Sequence, residues 1–137
     1  MNPILSLERA TQLAIFLSNR PGALMRVCDA LARAGINIHA LSISDTVDHS
    51  VVRMVVSDPT QALMLLGEAG VLALENDVLM LDLNNQPGML ARLALALSKA
   101  EVNIEYAYMA ANLDSARGLM VLRPSDVDKA EDALRKL

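Results

Sequence analysis

The chain has 137 residues, of which 53% are hydrophobic and only 2% aromatic, so Leu, Ala, Val, Ile and Met must build its core. The formal net charge is −4 and no cluster of Lys or Arg occurs, which argues against the basic face of a nucleic-acid-binding protein. The single cysteine, Cys28, excludes an intrachain disulfide, and no apolar run approaches the roughly 18 residues of a membrane span. Residues 1–9 lack the basic and apolar regions of an export signal, so we expect a cytoplasmic protein that does not contact membranes.

A six-residue motif occurs twice, at a separation of 66 positions. The first copy is Asn19, Arg20, Pro21, Gly22, Ala23 and Leu24, and the second is Asn85, Gln86, Pro87, Gly88, Met89 and Leu90. Each copy follows a short apolar run and precedes apolar residues at helical spacing, so each predicts a strand-to-helix turn. Further identities at the same separation, such as Arg26 with Arg92 and Met54 with Met120, indicate an internal duplication and hence two small units.

The motif itself predicts a place for an anion. Pro fixes φ and has no N–H to lose, while Gly permits a positive φ. The first N–H groups of the following helix then face the space in front of the loop, where they can hold a carboxylate. The alternative is that Pro-Gly simply begins a helix, with Asn19 and Asn85 forming an Asx turn or an N-cap.

The first unit begins with a stretch that has no counterpart in the repeat. Residues 1–11 predict either a short helix or an extra strand. Residues 13–17 are apolar on both faces and predict a central strand. The apolar spacing over residues 24–31 predicts a helix with Cys28 among its core positions, and Gly35 is expected to end this helix.

The remaining elements of the first unit follow in turn. Residues 36–44 and 51–56 predict two strands joined by a hairpin turn over residues 46–49. A second helix, with an Asp N-cap followed by Pro, is predicted over residues 58–70. Residues 71–74 predict a fourth strand. The order βαββαβ indicates an antiparallel sheet with both helices on one face.

The second unit repeats this order from its first strand, residues 79–83, with three differences. Glu101 replaces Gly35, so we expect this helix to end in another way. Ser125 is expected to cap the last helix. No fourth strand follows before Leu137, which would leave residues 79–83 at an open edge. We predict that a strand from elsewhere, either from the first unit or from another chain, covers this edge.

An apolar strand, Asn-x-Pro-Gly-x-Leu, an amphipathic helix and then Ile-Asn-Ile or Val-Asn-Ile together resemble the ACT domain, a regulatory module that most often binds amino acids. The resemblance covers residues 12–74 and 78–137. It implies an α+β fold of two ferredoxin-like ACT repeats, antiparallel sheets with helices on one face, and a second repeat without a fourth strand of its own. It also implies a free-standing regulatory protein without catalytic activity.

The resemblance further implies where a ligand binds. In the serine-sensing ACT domain of phosphoglycerate dehydrogenase, the ligand lies between the Asn-x-Pro-Gly loop of one domain and the Asn-Ile strand of another. Carried over, this pairs Asn19 with Asn103 and Asn85 with Asn37, and it adds Ile38 and Ile104 to the ligand-binding residues. The alternative is that Asn37 and Asn103 only follow the end of a helix.

One departure bears on the ligand. That serine site uses a His two residues before the loop Asn, where this chain has Leu17 and Leu83. A small or apolar amino acid is therefore expected. Only Arg20 is charged in the two loops, which argues weakly against an acidic or basic ligand.

Three functions compete on these observations. We expect a binding module that senses a free amino acid and forms a homodimer or a higher oligomer. The alternative is a regulatory or structural subunit that acts on an enzyme in trans and has a vestigial pocket. An enzyme is disfavoured because no catalytic grouping of residues and no phosphate loop occurs. Neither His39 nor His49 has partners at metal-ligand spacing, so we expect no metal and no cofactor.

Overall fold

The computed structural model of the protein describes residues 2–45 and 49–137. Its elements in chain order are β1 (Ile4–Ser18), α1 (Ala23–Arg33), β2 (Ile38–Asp45), β3 (His49–Val56), α2 (Pro59–Glu68), β4 (Leu72–Asn84), α3 (Met89–Lys99), β5 (Ile104–Ala111), β6 (Arg117–Pro124) and α4 (Val127–Arg135). The predicted hairpin turn falls largely on residues 46–48, which lie outside the described residues, and His49 itself belongs to β3.

The chain forms two compact units. The first unit is Thr11–Asn76, and the second combines Met1–Ala10 with Asp77–Leu137. The strands β1 and β4 each contribute one part to each unit. The sequence predicted their parts as separate short strands, at residues 13–17, 71–74 and 79–83, whereas β1 and β4 run without interruption for 15 and 13 residues.

The first unit has the predicted ferredoxin-like order. Its strands lie in the order β2-β3-β1-β4, and β3 pairs antiparallel with both β1 and β2. Its core contains one apolar stripe from each helix and one face of the sheet: Leu13, Ile15, Val27, Leu31, Ile36, Val52, Met54, Val56, Ala62 and Leu66. Cys28 is half-buried and packs against this core, as predicted.

The second unit has the strand order β1-β4-β6-β5, with β6 antiparallel to β4 and β5. Its core is separate from the first: Leu7, Leu79, Leu81, Leu83, Met89, Leu93, Leu97, Val102, Met120, Leu122, Ala130 and Leu134. Full burial of one such Leu contributes about 1.5–3 kcal/mol to folding. Each unit therefore has its own source of stability.

The N-terminal residues supply the fourth strand that the second unit lacks. Residues 4–10 of β1 lie beside β4 and so cover the edge that the sequence left open. The covering strand thus comes from the residues before the first repeat, and not from the first unit or another chain as predicted. Leu7 lies in the second core with only 7% of its surface exposed, and the Pro3 carbonyl accepts a hydrogen bond of 2.8 Å from the Asn84 amide. The strand that precedes the first repeat in sequence thus completes the second repeat in space.

Two predicted helix ends are corrected by the structure. The helix that precedes Glu101 ends in the same way as the helix that precedes Gly35, and not in another way as predicted. Glu101 adopts φ 59°, close to the φ 72° of Gly35, and its amide makes the equivalent hydrogen bond to the carbonyl of the third residue before it. The N-cap of α4 is Asp126, which accepts from the Lys129 amide at 3.0 Å. Ser125 instead accepts from the Asn103 amide, because it follows β6 where that strand passes the start of β5.

The spacing between equivalent residues also changes along the repeat. Leu13 pairs with Met54, and the equivalent Leu79 pairs with Leu122 rather than with Met120. Equivalent residues of the two units are therefore 66 positions apart through β2 and β5, and 68 positions apart from β3 and β6 onwards. The difference arises because the second unit has two more residues between β5 and β6 than the first has between β2 and β3. The sequence match of Met54 with Met120 is not a structural equivalence, although both side chains are buried.

Candidate functional site

Both copies of the motif form the same strand-to-helix turn. Gly22 and Gly88 are the N-cap residues of α1 and α3, and both have φ 88°. This conformation is strained for any residue with a Cβ, which explains glycine at both positions. A hydrogen bond closes the turn across each Pro-Gly pair, from the Ala23 amide to the Arg20 carbonyl and from the Met89 amide to the Gln86 carbonyl.

The two helices begin without a side-chain cap among the described residues. The first helical bonds run from the Arg26 amide to Gly22 at 3.2 Å and from the Arg92 amide to Gly88 at 3.0 Å. The amides of residues 24, 25, 90 and 91 precede these bonds, and first-turn amides have no acceptor inside their helix. Two N–H donors are thus presented at the start of each helix, together with the positive end of the helix dipole.

A pocket lies against the first loop, within the first unit. The volume of this first pocket is about 380 Å³, and that of the corresponding pocket in the second unit is about 510 Å³. Side chains and backbone from the end of β1, from α1 and from the end of α2 line it: Phe16, Leu17, Ser18, Arg20, Ala23, Arg26, Val27, Ala30, Leu65, Leu66, Ala69, Gly70 and Val71. The first pocket is thus largely apolar, with two guanidinium groups.

The second pocket lies against the second loop, within the second unit. The end of β4, the loop, α3 and the N-terminal segment line it: Pro3, Asn84, Gln86, Pro87, Gly88, Met89, Ala91, Arg92 and Leu95. Both volumes fall in the range of about 300–1,000 Å³ that is typical of small-molecule sites.

Each pocket contains residues that the sequence analysis did not select. Arg26 and Arg92 occupy equivalent positions one helical turn after the glycine, and both line their pockets. Their identity between the two copies was the available signal, but a single arginine on a helix is usually a solvated side chain. Pro3 and Val71 also line the pockets, and no local pattern could have revealed them because they are distant from the loops in sequence.

The loop residues differ in their surroundings. Asn19, Pro21, Gln86 and Pro87 are exposed, Asn85 is half-buried, and the Asn85 amide donates to the Ala116 carbonyl. After the glycines, Leu24 packs against the first core, whereas Met89 is buried in the second core and Leu90 is 49% exposed.

The strand asparagines lie at the opposite end of the helix that follows each loop. Asn37 is exposed, and its amide and carbonyl both bond Ser57, each at 2.9 Å. Asn103 is exposed and bonds Ser125 in the same way. Ile38 and Ile104, the next residues, are half-buried and pack against the two cores.

This position limits which residues can contact one ligand. The helices α1 and α3 have 11 residues each and are therefore about 16 Å long. A free amino acid is too short to reach from the loop to the asparagine of the same repeat. Asn103 instead borders a separate depression with Ser98 and Glu101. The loop and the strand asparagine of one repeat therefore cannot contact the same free amino acid.

The leucines that stand at the His position of the serine-sensing site have different roles. Leu83 is fully buried in the second core. Leu17 is half-buried, packs against the first core and lines the first pocket. Of these two leucines, Leu17 alone lines a pocket.

Ion pairs attach the N-terminal segment to α4. Arg9 contacts Asp128 and also donates from Nε to Glu131 Oε1 at 2.8 Å, and Arg135 donates to the other Glu131 oxygen at 2.8 Å. The hydrogen bonds from Arg135 and then from Arg9 lower the pKa of the Glu131 carboxyl. The Asp128 and Glu131 carboxylates raise the pKa of Arg9 above its ordinary value, so this guanidinium stays charged.

A second ion pair lies near the second loop. Arg117 contacts both oxygens of Asp82, and this hydrogen bonding raises the pKa of Arg117. Among the described residues, no three His, Cys, Asp or Glu side chains are grouped so that they could hold a metal ion. Within the same residues, every helix is too short or too polar to cross a membrane.

Known proteins share this fold. The crystal structure of protein BT0572 from Bacteroides thetaiotaomicron is 37% identical in sequence with a TM-score of 0.88, and the match covers 95% of this chain and 89% of that one. The regulatory subunit of aspartate kinase from Thermus thermophilus, in its ligand-free form, is 20% identical with a TM-score of 0.69, over 96% of this chain and 95% of that one. A search of curated protein sequences gave no significant match.

The regulatory subunit of aspartate kinase from Thermus flavus is similar at 22% identity, with a TM-score of 0.66, over 96% of this chain and 94% of that one. At these low identities the two Thermus proteins show the shared fold alone. The sequence model of the ACT domain pair matches residues 9–136, which is nearly the whole chain and includes both loops. The chain therefore belongs to the ACT domain pair family, whose domains are of the regulatory, amino-acid-binding type.

Proposed function

We propose that the protein is a non-catalytic sensor that binds a free, small or apolar amino acid at its Asn-x-Pro-Gly loops. The observation that carries this proposal is the duplicated pocket: each loop borders a cavity of small-molecule size, with an uncapped helix start on one side and an arginine one turn further on. Each loop contributes to its own pocket, with Arg20 and Ala23 in the first and with Gln86, Pro87, Gly88 and Met89 in the second.

The polar groups of each pocket suit the carboxylate of an amino acid. First-turn amides donate hydrogen bonds to an anion, and the helix dipole favours negative charge at the same place. Arg26 and Arg92 offer a guanidinium, which binds a carboxylate through two parallel hydrogen bonds. These arginines therefore complement the charge common to all free amino acids and do not select an acidic side chain.

The ammonium group needs acceptors, which the asparagines and the carbonyls of the loop can supply. By the resemblance, Asn103 serves the ligand at Asn19 and Asn37 serves the ligand at Asn85, with Ile38 and Ile104 beside them. This pairing stays a prediction. It is consistent with the length of α1 and α3, which separates the loop from the asparagine within one repeat.

The walls of the pockets favour a side chain without charge. Phe16, Leu17 and Leu65 line the first pocket, and Pro3 and Leu95 line the second. Burial of an apolar side chain against such walls contributes about 25 cal/mol per Å² of covered surface. A charged side chain would lose hydration against these walls, and a basic one would meet no carboxylate among the residues that line either pocket.

The test is a thermal-shift screen against the twenty common amino acids at millimolar concentration. A ligand that binds only the folded protein raises its stability by RT ln(1 + [L]/Kd), which is about 2.7 kcal/mol at a hundredfold excess over Kd. We expect a response to one or a few apolar amino acids. Arg26→Ala should remove the stabilisation that comes from the first pocket, and Arg92→Ala should remove the stabilisation that comes from the second. Lys99→Ala, in the last turn of α3, should leave the response to amino acids unchanged.

The alternative is a regulatory subunit that acts on an enzyme in trans and no longer binds a ligand. It is suggested by the Thermus proteins of similar fold, which are regulatory subunits of aspartate kinase. An aspartate kinase catalytic chain is the first partner to test, by co-purification of the two purified chains. A stable complex together with a flat amino-acid screen would favour this alternative over the sensor.

We also expect the protein to be at least a homodimer. Several large apolar side chains of the first unit remain exposed: Phe16, Leu41, Ile43, Leu72 and Leu74. Exposed apolar surface of this kind commonly marks an interface. Light scattering coupled to size-exclusion chromatography measures the mass directly, and a mass of 14.8 kDa at micromolar concentration would rule the dimer out.

A further inference from the structure

We propose that the N-terminal segment, residues 3–10, is a working part of the second pocket, so that ligand binding there and docking of this segment stabilise each other. This inference rests on the proposed function and concerns the regulation of one of its two sites. The inference rests on a difference between the residues that close the two pockets. Val71 in the first pocket and Pro3 in the second have equivalent positions in the fold, but they are connected to the rest of the chain in different ways.

In the first pocket, the closing residue belongs to the chain that leads directly from α2 into β4. Val71 precedes β4, the fourth strand of the first unit, and its amide donates to the Leu66 carbonyl of α2 at 2.9 Å. Gly70, Ala69 and Leu66 line the same pocket. This wall is thus covalently continuous with a packed helix and cannot leave the pocket unless that helix end unfolds.

In the second pocket, Pro3 has the equivalent position. It precedes the part of β1 that acts as the fourth strand of the second unit, as Val71 precedes β4. The residues of the first unit, Thr11–Asn76, separate Pro3 in sequence from everything else that lines the second pocket. The wall is therefore held in place by non-covalent contacts of residues 2–10.

Those contacts lie mostly outside the pocket. Leu7 is buried in the second core, Arg9 pairs with Asp128 and Glu131, and Arg135 donates to the Leu7 carbonyl at 3.2 Å. The segment can thus be loosened at a distance from any bound ligand. Besides its sheet pairing with β4, the segment contributes buried Leu7 and partly buried Ile4 to the second core, and Arg9 in its ion pairs is exposed. A short strand with so few core side chains belongs to the less stable part of a fold, which opens locally before the whole domain unfolds.

A continuous set of hydrogen bonds connects the segment to the loop. The Pro3 carbonyl accepts from the Asn84 amide, and the Asn84 carbonyl accepts from the Gln86 amide at 3.1 Å. The Asn84 side chain also accepts from the Gln86 side chain at 3.3 Å. Undocking of the segment would remove both the Pro3 wall and the support of the residues that begin the second loop.

Thermodynamic linkage then fixes the consequence. A ligand that contacts Pro3 binds the docked state better, so it must favour docking to the same extent that docking favours the ligand. The apparent Kd rises in inverse proportion to the docked fraction, so a segment docked about one tenth of the time weakens the second site about tenfold. The first pocket has no such dependence.

The experiment separates the two pockets by their arginines. Arg26→Ala leaves the second pocket to respond in the screen of twenty amino acids, and Arg92→Ala leaves the first. Into each background we place Leu7→Ala, or the milder Arg9→Ala, because neither residue lines a loop pocket. Hydrogen exchange of residues 4–10 reports the docking, and exchange of α3 reports whether the second unit remains folded.

We expect Leu7→Ala to speed exchange over residues 4–10 and to raise the Kd several-fold in the Arg26→Ala background, with no change in the Arg92→Ala background. A bound amino acid should slow exchange over residues 4–10 in the first background only. Faster exchange with an unchanged Kd in both backgrounds would refute the coupling and leave the proposed sensor intact. Should neither background respond to any amino acid, the proposed function fails and the coupling fails with it.

Discussion

The Pro3 carbonyl oxygen accepts a hydrogen bond of 2.8 Å from the amide of Asn84, the last residue of β4 before the second loop. This bond joins the beginning of the described chain to the start of the second loop, which follows more than half the sequence later. It lies where the fourth strand of a ferredoxin-like repeat meets the first, so it marks both the completion of the second sheet and the edge of the second pocket.

Leu7 should therefore stabilise the second unit even though most of that unit, Asp77–Leu137, follows much later in the sequence. Leu7→Ala is expected to cost about 2–4 kcal/mol, since it removes a side chain that is 93% buried in a closed core. Leu5→Ala, at a position 49% exposed, is the matched control and should cost well under half as much. Denaturant unfolding gives both values, and equal losses would contradict the assigned orientation of the strand.

Glu101 has a left-handed conformation at the position where the first repeat has Gly35. Such a φ costs a residue with a Cβ about 1–2 kcal/mol, and an acidic side chain is also unfavourable at a helix C-terminus. We expect Glu101→Gly to stabilise the protein by about 1 kcal/mol and Gly35→Glu to destabilise it by a similar amount. Glu101→Ala separates the two causes, because it removes the charge and keeps the strain. A stabilisation as large as that of glycine would assign the effect to charge.

Gly88 has a positive φ that glycine adopts without strain but that a residue with a Cβ does not. A Cβ at this position would have no neighbour within 4 Å, so Gly88→Ala adds no collision and should destabilise the fold by about 1 kcal/mol through its φ of 88° alone. Gly67 also has open space around its Cβ position but lies in α2 with an ordinary φ. Gly67→Ala should therefore stabilise by about 0.5–1 kcal/mol. Thermal unfolding of the two variants should thus shift in opposite directions.

Docking of the N-terminal segment should weaken in acid. The pKa of Glu131 is lower in the folded protein than in the unfolded chain, so its contribution to stability is complete above the unfolded value of about 4.3 and is lost as the pH falls through the lower folded value. Arg9 stays charged throughout, so its titration has no part in this loss. Hydrogen exchange of residues 4–10 should increase in that range in the wild-type protein.

Glu131→Gln removes the titrating carboxyl and is the control. Its segment should exchange faster than that of the wild type at neutral pH, and the difference between the two proteins should shrink below pH about 4. An unchanged difference at all pH values would mean that Glu131 does not hold the segment through its charge.

Local sequence patterns sufficed for most of the elements and for the two loops. The Pro-Gly pair, with a glycine at φ 88° that no other residue adopts without strain, specifies a turn by itself, and the helix that follows is visible in apolar spacing. Asp58 caps α2 as its sequence predicts, through a bond of 3.1 Å from the Gln61 amide. These features depend on neighbours within a few positions, which is the range over which a sequence can be read directly.

Tertiary structure decided the features that depend on distant residues. Whether residues 4–10 form a helix or a strand follows from the unpaired edge of β4 and from Leu7 entering the second core. Whether Arg92 and Pro3 belong to one pocket follows from that docking. The duplicated loops were thus determined by the sequence alone, whereas the walls of their pockets were decided by strand pairing, because a sheet joins residues by hydrogen bonds without regard to their separation along the chain.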